Sequence, residues 1–458
     1  MAVRSMISLY EFRDELNKIS PTFCVAKWKQ VTVHLESGLT HSCHHPKAHI
    51  ISLEDLKNNI TGLHNTPYKK AMRKLMLDGK IVPECEYCNR VDRQNSDNLS
   101  DRVLKSSESS WAKKYIPEIL SKPFDDDVFP SYFEVSFSSV CNGTCIYCSP
   151  TFSSKWAEEI EKFGPYDVSS VTRGPESNPV PKYANKTINP YIDAFWKWWP
   201  ELHQKLDEFR ITGGEPLLSK NTYKILDYMI KHPKSDLKIS LNSNFCINDK
   251  IFNKFIEKYK RVAQKQKVTV FTSGEAYGEK AEYIRPGMNY NHWIDNCRTY
   301  LSKVPNSKLA FMCTYNILSI TSFIDFLRDV KKLKKEYPKR VSVDIPFLMN
   351  PPYLQANIVT SDFLKYIEES INYMYEHIKR WSPLAGTQSD YSFYEYEVSK
   401  LIRIFRLVEA QKEDRLLTYA RVDFSKFIDQ HDERYNTKFL DIFPEYEDFY
   451  SLCKKTKL

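Results

Sequence analysis

Residues 132–150 read YFEVSFSSVCNGTCIYCSP. The first half is an alternating run, the mark of a strand. The second half puts Cys141, Cys145 and Cys148 on the loop that follows. Packing alone does not call for three thiols within eight positions. A strand that ends on a cysteine trio therefore sets two questions: what the trio holds, and what fold presents it.

The chain downstream answers the second. YFEVSFSS, EFRITGG, LKISLNSN, KVTVFTS, KLAFMCTYN and VSVDIPFLM read as strands. Between them NTYKILDYMIKH, KIFNKFIEKYKRVA, HWIDNCRTYL and TSFIDFLRDVKKL place apolar residues at helical spacing. Strands that alternate with helices make parallel β/α units. Six units predict an α/β fold, a partial (β/α)6 TIM-like barrel rather than a closed eight-fold one. Such folds place their chemistry at the C-terminal strand ends.

The expected organisation is a Cys-rich module with its linker over 1–110, the partial barrel over 111–355, and a helical region over 356–458. The polar, serine-rich stretch Val91–Ser110 is the best linker candidate. The irregular insert Gly164–Pro190, rich in proline, serine and asparagine, reads as a lid, a substrate-contact loop or a disordered segment.

Composition narrows the classes. A hydrophobic fraction of 42% over 458 residues supplies a sizeable core, and 14% aromatics argue against disorder. The net charge of +8 is a mild excess, and clusters such as Arg328–Arg340 read as solvated helix faces. No apolar h-region opens the chain and no stretch approaches the roughly 20 apolar residues of a membrane span. A cytoplasmic location is expected, where the 11 cysteines serve as metal ligands or buried thiols rather than disulfides. Cys246, Cys297, Cys313 and Cys453 stand singly and read as small buried hydrophobes.

Three thiolates can hold a cubane iron–sulfur cluster and leave one iron open, whereas a cluster used only for electron transfer normally takes four. A zinc site would want four ligands, and no fourth cysteine or histidine lies near the trio. A second feature follows at the next strand end, where Gly213 and Gly214 precede Glu215 and Pro216. The chain has only 12 glycines, against roughly 32 at average usage. An adjacent pair lets the backbone approach a ligand closely; a plain strand-to-helix turn with a helix-start glutamate is the alternative.

The Cys-x3-Cys-x2-Cys spacing, with Tyr147 just before the last cysteine, resembles the signature of the radical S-adenosylmethionine (SAM) superfamily. The resemblance implies a [4Fe–4S] cluster whose open iron chelates SAM. It also implies one-electron cleavage of SAM to a 5′-deoxyadenosyl radical that takes a hydrogen atom from a substrate. The sequence ITGGEPLL matches that family's GGEP motif, which implies that Gly213, Gly214, Glu215 and Pro216 meet the SAM amino group. Asn242, Ser243 and Asn244 occupy the place of a Thr-Asn-Gly-like run near the ribose, with the glycine missing. Ser273 and Arg285 match positions that hold the SAM carboxylate, a group an arginine fork suits. Glu275 and Tyr277 are candidates to orient substrate or, for Tyr277, to donate a hydrogen atom or proton. Thr314 and Asn316 end the fifth strand and are candidate cofactor contacts.

Cys24, Cys43, Cys85 and Cys88 precede the barrel. Four thiolates make a closed zinc site or a second cluster. Their arrangement resembles a SPASM/twitch auxiliary module, placed ahead of the barrel where most such modules follow it. An auxiliary [4Fe–4S] cluster is expected, with zinc as the alternative. His41, His44, His45 and His49 crowd Cys43, either as replacement ligands or as a polar loop.

The resemblance implies an enzyme that modifies a peptide or protein by oxidation, epimerisation or crosslinking. Small-molecule (sugar or nucleotide) dehydrogenation or epimerisation stands second. A one-electron reductant such as a ferredoxin or flavodoxin is the implied partner. The rival class is a non-enzymatic zinc or iron–sulfur protein that binds nucleic acid. The missing fourth ligand and the glycine pair speak against it.

Overall fold

The computed structural model describes residues 2–94, 99–171, 189–378 and 392–458. Most of the insert read at Gly164–Pro190 lies outside the described residues. The chain divides into two compact units, Met1–Ser138 with Pro181–Leu241 and Lys265–Lys267, and Ser139–Val180 with Asn242–Gln264 and Val268–Leu458. No helix among the described residues is long and apolar enough to cross a membrane.

In the first unit six strands pair side by side. They are β1 (Gln30–His34), β2 (Leu39–His41), β3 (His49–Ile50), β4 (Tyr132–Ser136), β5 (Glu208–Thr212) and β6 (Lys238–Ser243), in the order β3-β2-β1-β4-β5-β6. The β1–β4, β4–β5 and β5–β6 pairs are parallel, and the β1–β2 and β2–β3 pairs antiparallel. Ser136 stands opposite Thr212, so β4 and β5 end level. Strands β5 and β6 alternate between covered and half-covered positions, as read from sequence.

Strand β1 is not among the predicted strands. Four of its five residues are buried, so the alternation that marks a half-covered strand is absent. The helix Pro190–Lys205 starts on Asn189, whose Oδ1 accepts from the Tyr191 and Ile192 amides at 2.9 and 3.1 Å. It buries Phe195, Trp198, Trp199 and Leu202 on one face, and the Trp199 ring lies 4.6 Å from that of Phe209 on β5. Each aromatic of this kind contributes roughly 2–3 kcal/mol of burial.

The helix Pro67–Leu77, capped by Thr66, turns a different face inward: Lys69, Arg73 and Met76 are all buried. A helical stripe that would ordinarily be apolar is thus two-thirds cationic. Cys24, Cys43 and Cys85 pack against the neighbouring core of Phe12, Leu16, Phe23, Val25 and Trp28.

The second unit carries β7 (Lys267–Ser273), β8 (Ser307–Met312) and β9 (Val341–Asp344), in parallel. With β4, β5 and β6 they complete the six strands expected from the sequence. The helices Asp249–Ala263, Tyr290–Lys303 and Phe323–Glu336 fall between strands as read, and the short helix Gly278–Ile284 is not among the predicted ones. The chain has the α/β fold with parallel strands and helical crossovers that the sequence predicts. Beyond β9 it is helical, with Leu364–Glu376, Glu395–Glu409, Arg415–Tyr435 and Glu447–Lys455. Glu397 anchors this region: both of its oxygens accept from Lys334 Nζ at 3.0 Å, and Oε1 accepts from the Val343 amide of β9 at 2.7 Å.

Candidate active site

The cysteine loop leaves β4 and is braced along its length within the second unit. The Cys148 amide donates to the Cys145 carbonyl at 2.8 Å, which closes a tight turn. The Thr144 and Ile146 amides donate to the carbonyls of Pro286 and Ile284 at 3.3 and 3.0 Å. Gly287 permits this docking: its φ is +98°, and a Cβ there would stand 3.0 Å from the Asn142 carbonyl. Trp156 Nε1 donates to the Cys145 carbonyl at 2.9 Å, and Ser153 Oγ to that of Gly143 at 2.9 Å. Both residues belong to the start of the helix Ser154–Phe163, with Ser153 as its cap. From the far end of the chain, the Tyr435 and Thr144 hydroxyls share a hydrogen bond of 2.5 Å.

Beside this loop lies a buried ionic group. Arg285 makes a two-pronged contact with Glu275, Nε to Oε1 at 2.9 Å and Nη2 to Oε2 at 2.6 Å. Its remaining nitrogen Nη1 donates to Cys145 Sγ at 3.2 Å. The Tyr147 hydroxyl donates to Glu275 at 3.2 Å and also meets Arg285. Glu275 is 1% exposed and Arg285 6%. Burial would lower the Arg285 pKa, but Glu275 holds it well above its usual value. Burial pushes the Glu275 carboxyl up, against Arg285 and Tyr147. The fork geometry keeps this pair charged. Burial also raises the Cys145 thiol, while the adjacent Arg285 draws it down. Cys148 is pushed up to about 12 by burial and by its neighbours Cys145 and Cys141.

The other positions singled out in this unit separate. Thr314 reaches the Tyr147 hydroxyl. Asn244 donates to Asn142 Oδ1 at 2.8 Å and accepts from the Cys246 amide at 2.8 Å. Asn142, inside the cysteine motif, in turn donates to the Cys246 carbonyl at 2.6 Å. Ser243 Oγ accepts from the Phe245 amide at 3.1 Å. Asn242 is half-buried at the end of β6, and Ser273 half-buried at the end of β7. Asn316 is buried and occupied with local capping, its Oδ1 accepting from Leu318 at 2.9 Å. Tyr277 is 44% exposed, with its ring edge-on to Tyr290 at 5.0 Å, and no hydrogen bond joins it to the Glu275 group among the described residues.

Phe245 explains how the missing glycine is managed. It holds φ +54°, the left-handed backbone that glycine adopts freely. Its buried ring packs within 5.3–6.1 Å of Phe252, Tyr300 and Phe255. A cavity of about 200 Å³ opens at the trio, lined by Tyr147, Cys148, Phe152, Trp156, Pro351 and Tyr353.

The glycine pair belongs to the first unit. Gly213 has φ +137°, and a Cβ on it would stand 2.7 Å from the Ser138 carbonyl. The Gly214 amide donates to that same carbonyl at 3.0 Å. Buried Glu215 accepts from the Leu217 amide at 3.0 Å, which makes it the start of the short turn Pro216–Leu218.

The N-terminal cysteines, also in the first unit, gather. Cys43 is pushed up to about 11 by burial and by Cys24, and Cys85 to about 12 by burial, with Cys24 and Cys43 adding. Burial raises Cys88 as well, and Cys24 and Cys43 again contribute. Among the described residues, three ligand atoms come within 4.8 Å of one another at His44, His45 and Asp101, and at neither cysteine set. Tetrahedral zinc draws its sulfurs to about 3.8 Å. Cubane thiolates stand further apart, because each binds a separate iron. The other two histidines are taken: His41 Nδ1 pairs with the Cys43 carbonyl at 2.6 Å, and His49 Nε2 with Thr66 Oγ1 at 2.9 Å.

Sequence reasoning passed over Asn142, Trp156, Gly287 and Tyr435. Asn142 sits inside the quoted motif and Gly287 is one of few glycines, so both carried a signal. The partners of Trp156 and Tyr435 had none.

No protein-family model matches the chain. Over 113 residues it is 25% identical to the GTP 3′,8-cyclase of Campylobacter lari, a stretch covering 25% of this chain and 27% of that protein. The chain thus matches about a quarter of that curated relative's length. Solved structures with a similar chain path include native anSMEcpe with bound AdoMet, at a TM-score of 0.33 and 16% identity over 52% of this chain and 58% of that one. They also include Streptococcus suis SuiB bound to S-adenosylmethionine, at 0.37 and 12% over 87% and 75%. SuiB bound to its precursor peptide SuiA gives 0.36 and 12% over 86% and 74%. The trio follows β4 in sequence, and GGEP follows β5.

Proposed function

We propose that this chain is a radical SAM enzyme. One observation carries the reading: a cysteine trio held open on a braced loop, with a buried arginine–carboxylate pair donating to one of its sulfurs. When bound, a [4Fe–4S] cluster and SAM would supply one-electron cleavage of SAM and hydrogen-atom abstraction. Cys141, Cys145 and Cys148 would hold the cluster. Tyr147 and the adjoining cavity would cover the bound cofactor. Arg285, engaged by Glu275 and Cys145, orients the site more directly than it offers a free fork to a carboxylate. Glu275 acts through Arg285.

The N-terminal four fit an auxiliary [4Fe–4S] centre. Lys69 and Arg73 are fully buried and have no carboxylate ion-pair partner among the described residues. Lys27, nearer the thiols, pairs with Glu84. Lys105 and Lys27 act on the Cys43 thiol, and a centre of net charge about −2, four thiolates on a 2+ core, would suit that cationic surrounding. In this reading residues 1–110 carry the auxiliary centre, 111–355 the SAM chemistry, and 356–458 support the cysteine loop.

The substrate in this reading is a peptide or protein side chain. An auxiliary cluster suits a net oxidation, because it can accept an electron from a substrate radical, and a ferredoxin or flavodoxin would supply the reducing electron. The stretch similar to GTP 3′,8-cyclase favours a second reading, a nucleotide or other small-molecule substrate. The test is anaerobic reconstitution with iron and sulfide, then dithionite and SAM, with 5′-deoxyadenosine as the product measured. Product that disappears in Cys141→Ala supports the assignment. A fully loaded protein that makes none overturns it. Deuterium transfer from labelled peptide or nucleotide pools separates the two substrate classes.

A further inference from the structure

The histidine-rich loop beside Cys43 has no part in the chemistry above, and it holds a donor set of its own. His44 and His45 turn both Nε2 atoms onto one oxygen, Oδ2 of Asp101, at 3.1 and 2.8 Å. The carboxylate arrives from 56 residues away, on the first turn of the helix Asp101–Ser106. The three ligand atoms lie within 4.8 Å of one another, the only such group among the described residues. His45 is fixed by stacking on Tyr87, at 4.1 Å between centroids and 17° between planes. The His44 ring lies 4.1 Å from that of His45.

We propose that His44, His45 and Asp101 form a binding site for a divalent transition-metal cation, separate from the cysteine centre. Two imidazoles and one carboxylate suit the manganese, ferrous and zinc class, and are a poor set for calcium or magnesium, which take oxygen ligands. Each histidine would bind through the Nε2 lone pair, with its proton on Nδ1. The His44 side chain is 62% exposed, so water completes the coordination and the ion enters from solvent. Its effect is mechanical. Histidines one and two positions after Cys43 become tied to the helix beginning at Asp101, which braces the loop carrying that cysteine.

The proposal stands without the radical SAM reading, and the test keeps them apart. Full-length protein, purified anaerobically with its iron in place, is titrated with Mn²⁺ alone. Free Mn²⁺ is followed by room-temperature electron paramagnetic resonance, where an iron–sulfur cluster gives no signal. Manganese has little affinity for thiolates, so the scattered cysteines do not interfere. One Mn²⁺ bound per chain is expected, displaced by Zn²⁺, with affinity falling at least tenfold in His44→Ala and lost in Asp101→Asn. Thermal melts check that the variants fold. Should Asp101→Asn melt early, the exposed His44→Ala decides alone. The proposal is overturned if no Mn²⁺ binds, or if binding in folded His44→Ala matches the parent.

Discussion

Arg285 donates to the sulfur of Cys145 at 3.2 Å across 140 residues of sequence, while its other two nitrogens are held by Glu275. An N–H directed at a cluster thiolate withdraws charge from it and makes the cluster easier to reduce. Arg285→Lys keeps a positive charge but cannot make the fork and the sulfur contact together. The expected outcome is a more negative midpoint in a redox titration of the loaded protein, with slower 5′-deoxyadenosine formation at equal iron content. Arg285→Ala should also cost about 3–5 kcal/mol of stability, because Glu275 is left buried and unpaired. Glu275→Gln should cost less, since an amide still accepts from Arg285. Equal melting temperatures for the three variants would contradict this account.

Gly213 and Gly278 both have positive φ, at +137° and +55°, but their surroundings differ. A Cβ on Gly213 meets the Ser138 backbone at 2.7 Å, whereas one on Gly278 meets nothing within 4 Å. Gly213→Ala should therefore destabilise by roughly 2–4 kcal/mol, from strain and overpacking together. Gly278→Ala should cost only about 1–2 kcal/mol of backbone strain. Chemical denaturation of the two variants measures the contrast.

Lys69 donates from Nζ to Thr40 Oγ1 at 2.9 Å, and burial, with Arg73 and Lys27 adding, holds its pKa well below the usual lysine range. Lys69→Met should raise the melting temperature of chelator-stripped protein, by removing an uncompensated buried amine worth about 1–3 kcal/mol. A higher melting temperature for Lys69→Met than for the parent is the outcome to look for in paired thermal melts.

His431 sets an acid limit on the second unit. Burial lowers it to about 3, Tyr283 opposes and Arg434 assists. The native state keeps the ring neutral, while the unfolded chain takes a proton below about 6.5. Stability from this residue is therefore complete above that pH and is lost as pH falls. Between pH 6.5 and 5 the loss is about 2 kcal/mol. His431→Phe, which keeps a ring among Tyr283, Phe427 and Tyr435, should flatten the pH dependence of urea unfolding over that interval.

The parts of this molecule that follow a local rule were legible in its sequence. The six strands from Tyr132 onward and the helices between them follow from periodicity, because each covers one face. The trio and the glycine pair were legible because their spacing is chemically unusual. Strand β1 was not, because burial on both faces erases alternation. The pairing of Arg285 with Cys145, of His45 with Asp101, and of Glu397 with Lys334 depends on side chains meeting across long loops, and no local pattern announces it. Phe245 is the converse case. The absent glycine was visible, but the left-handed backbone that survives without it was not, since a buried aromatic cluster sustains it.

The hydrogen bond between Thr144 and Tyr435 spans 291 residues. At roughly 5–20 residues per second of synthesis, Tyr435 leaves the ribosome about 15–60 seconds after the cysteine loop. For that interval the trio is made but lacks its last support, with three thiols open to oxygen and to stray metals. Full bracing of this loop is thereby tied to the completion of the helix Arg415–Tyr435. The order of assembly, and not only the final arrangement, is written into where Tyr435 falls in the sequence.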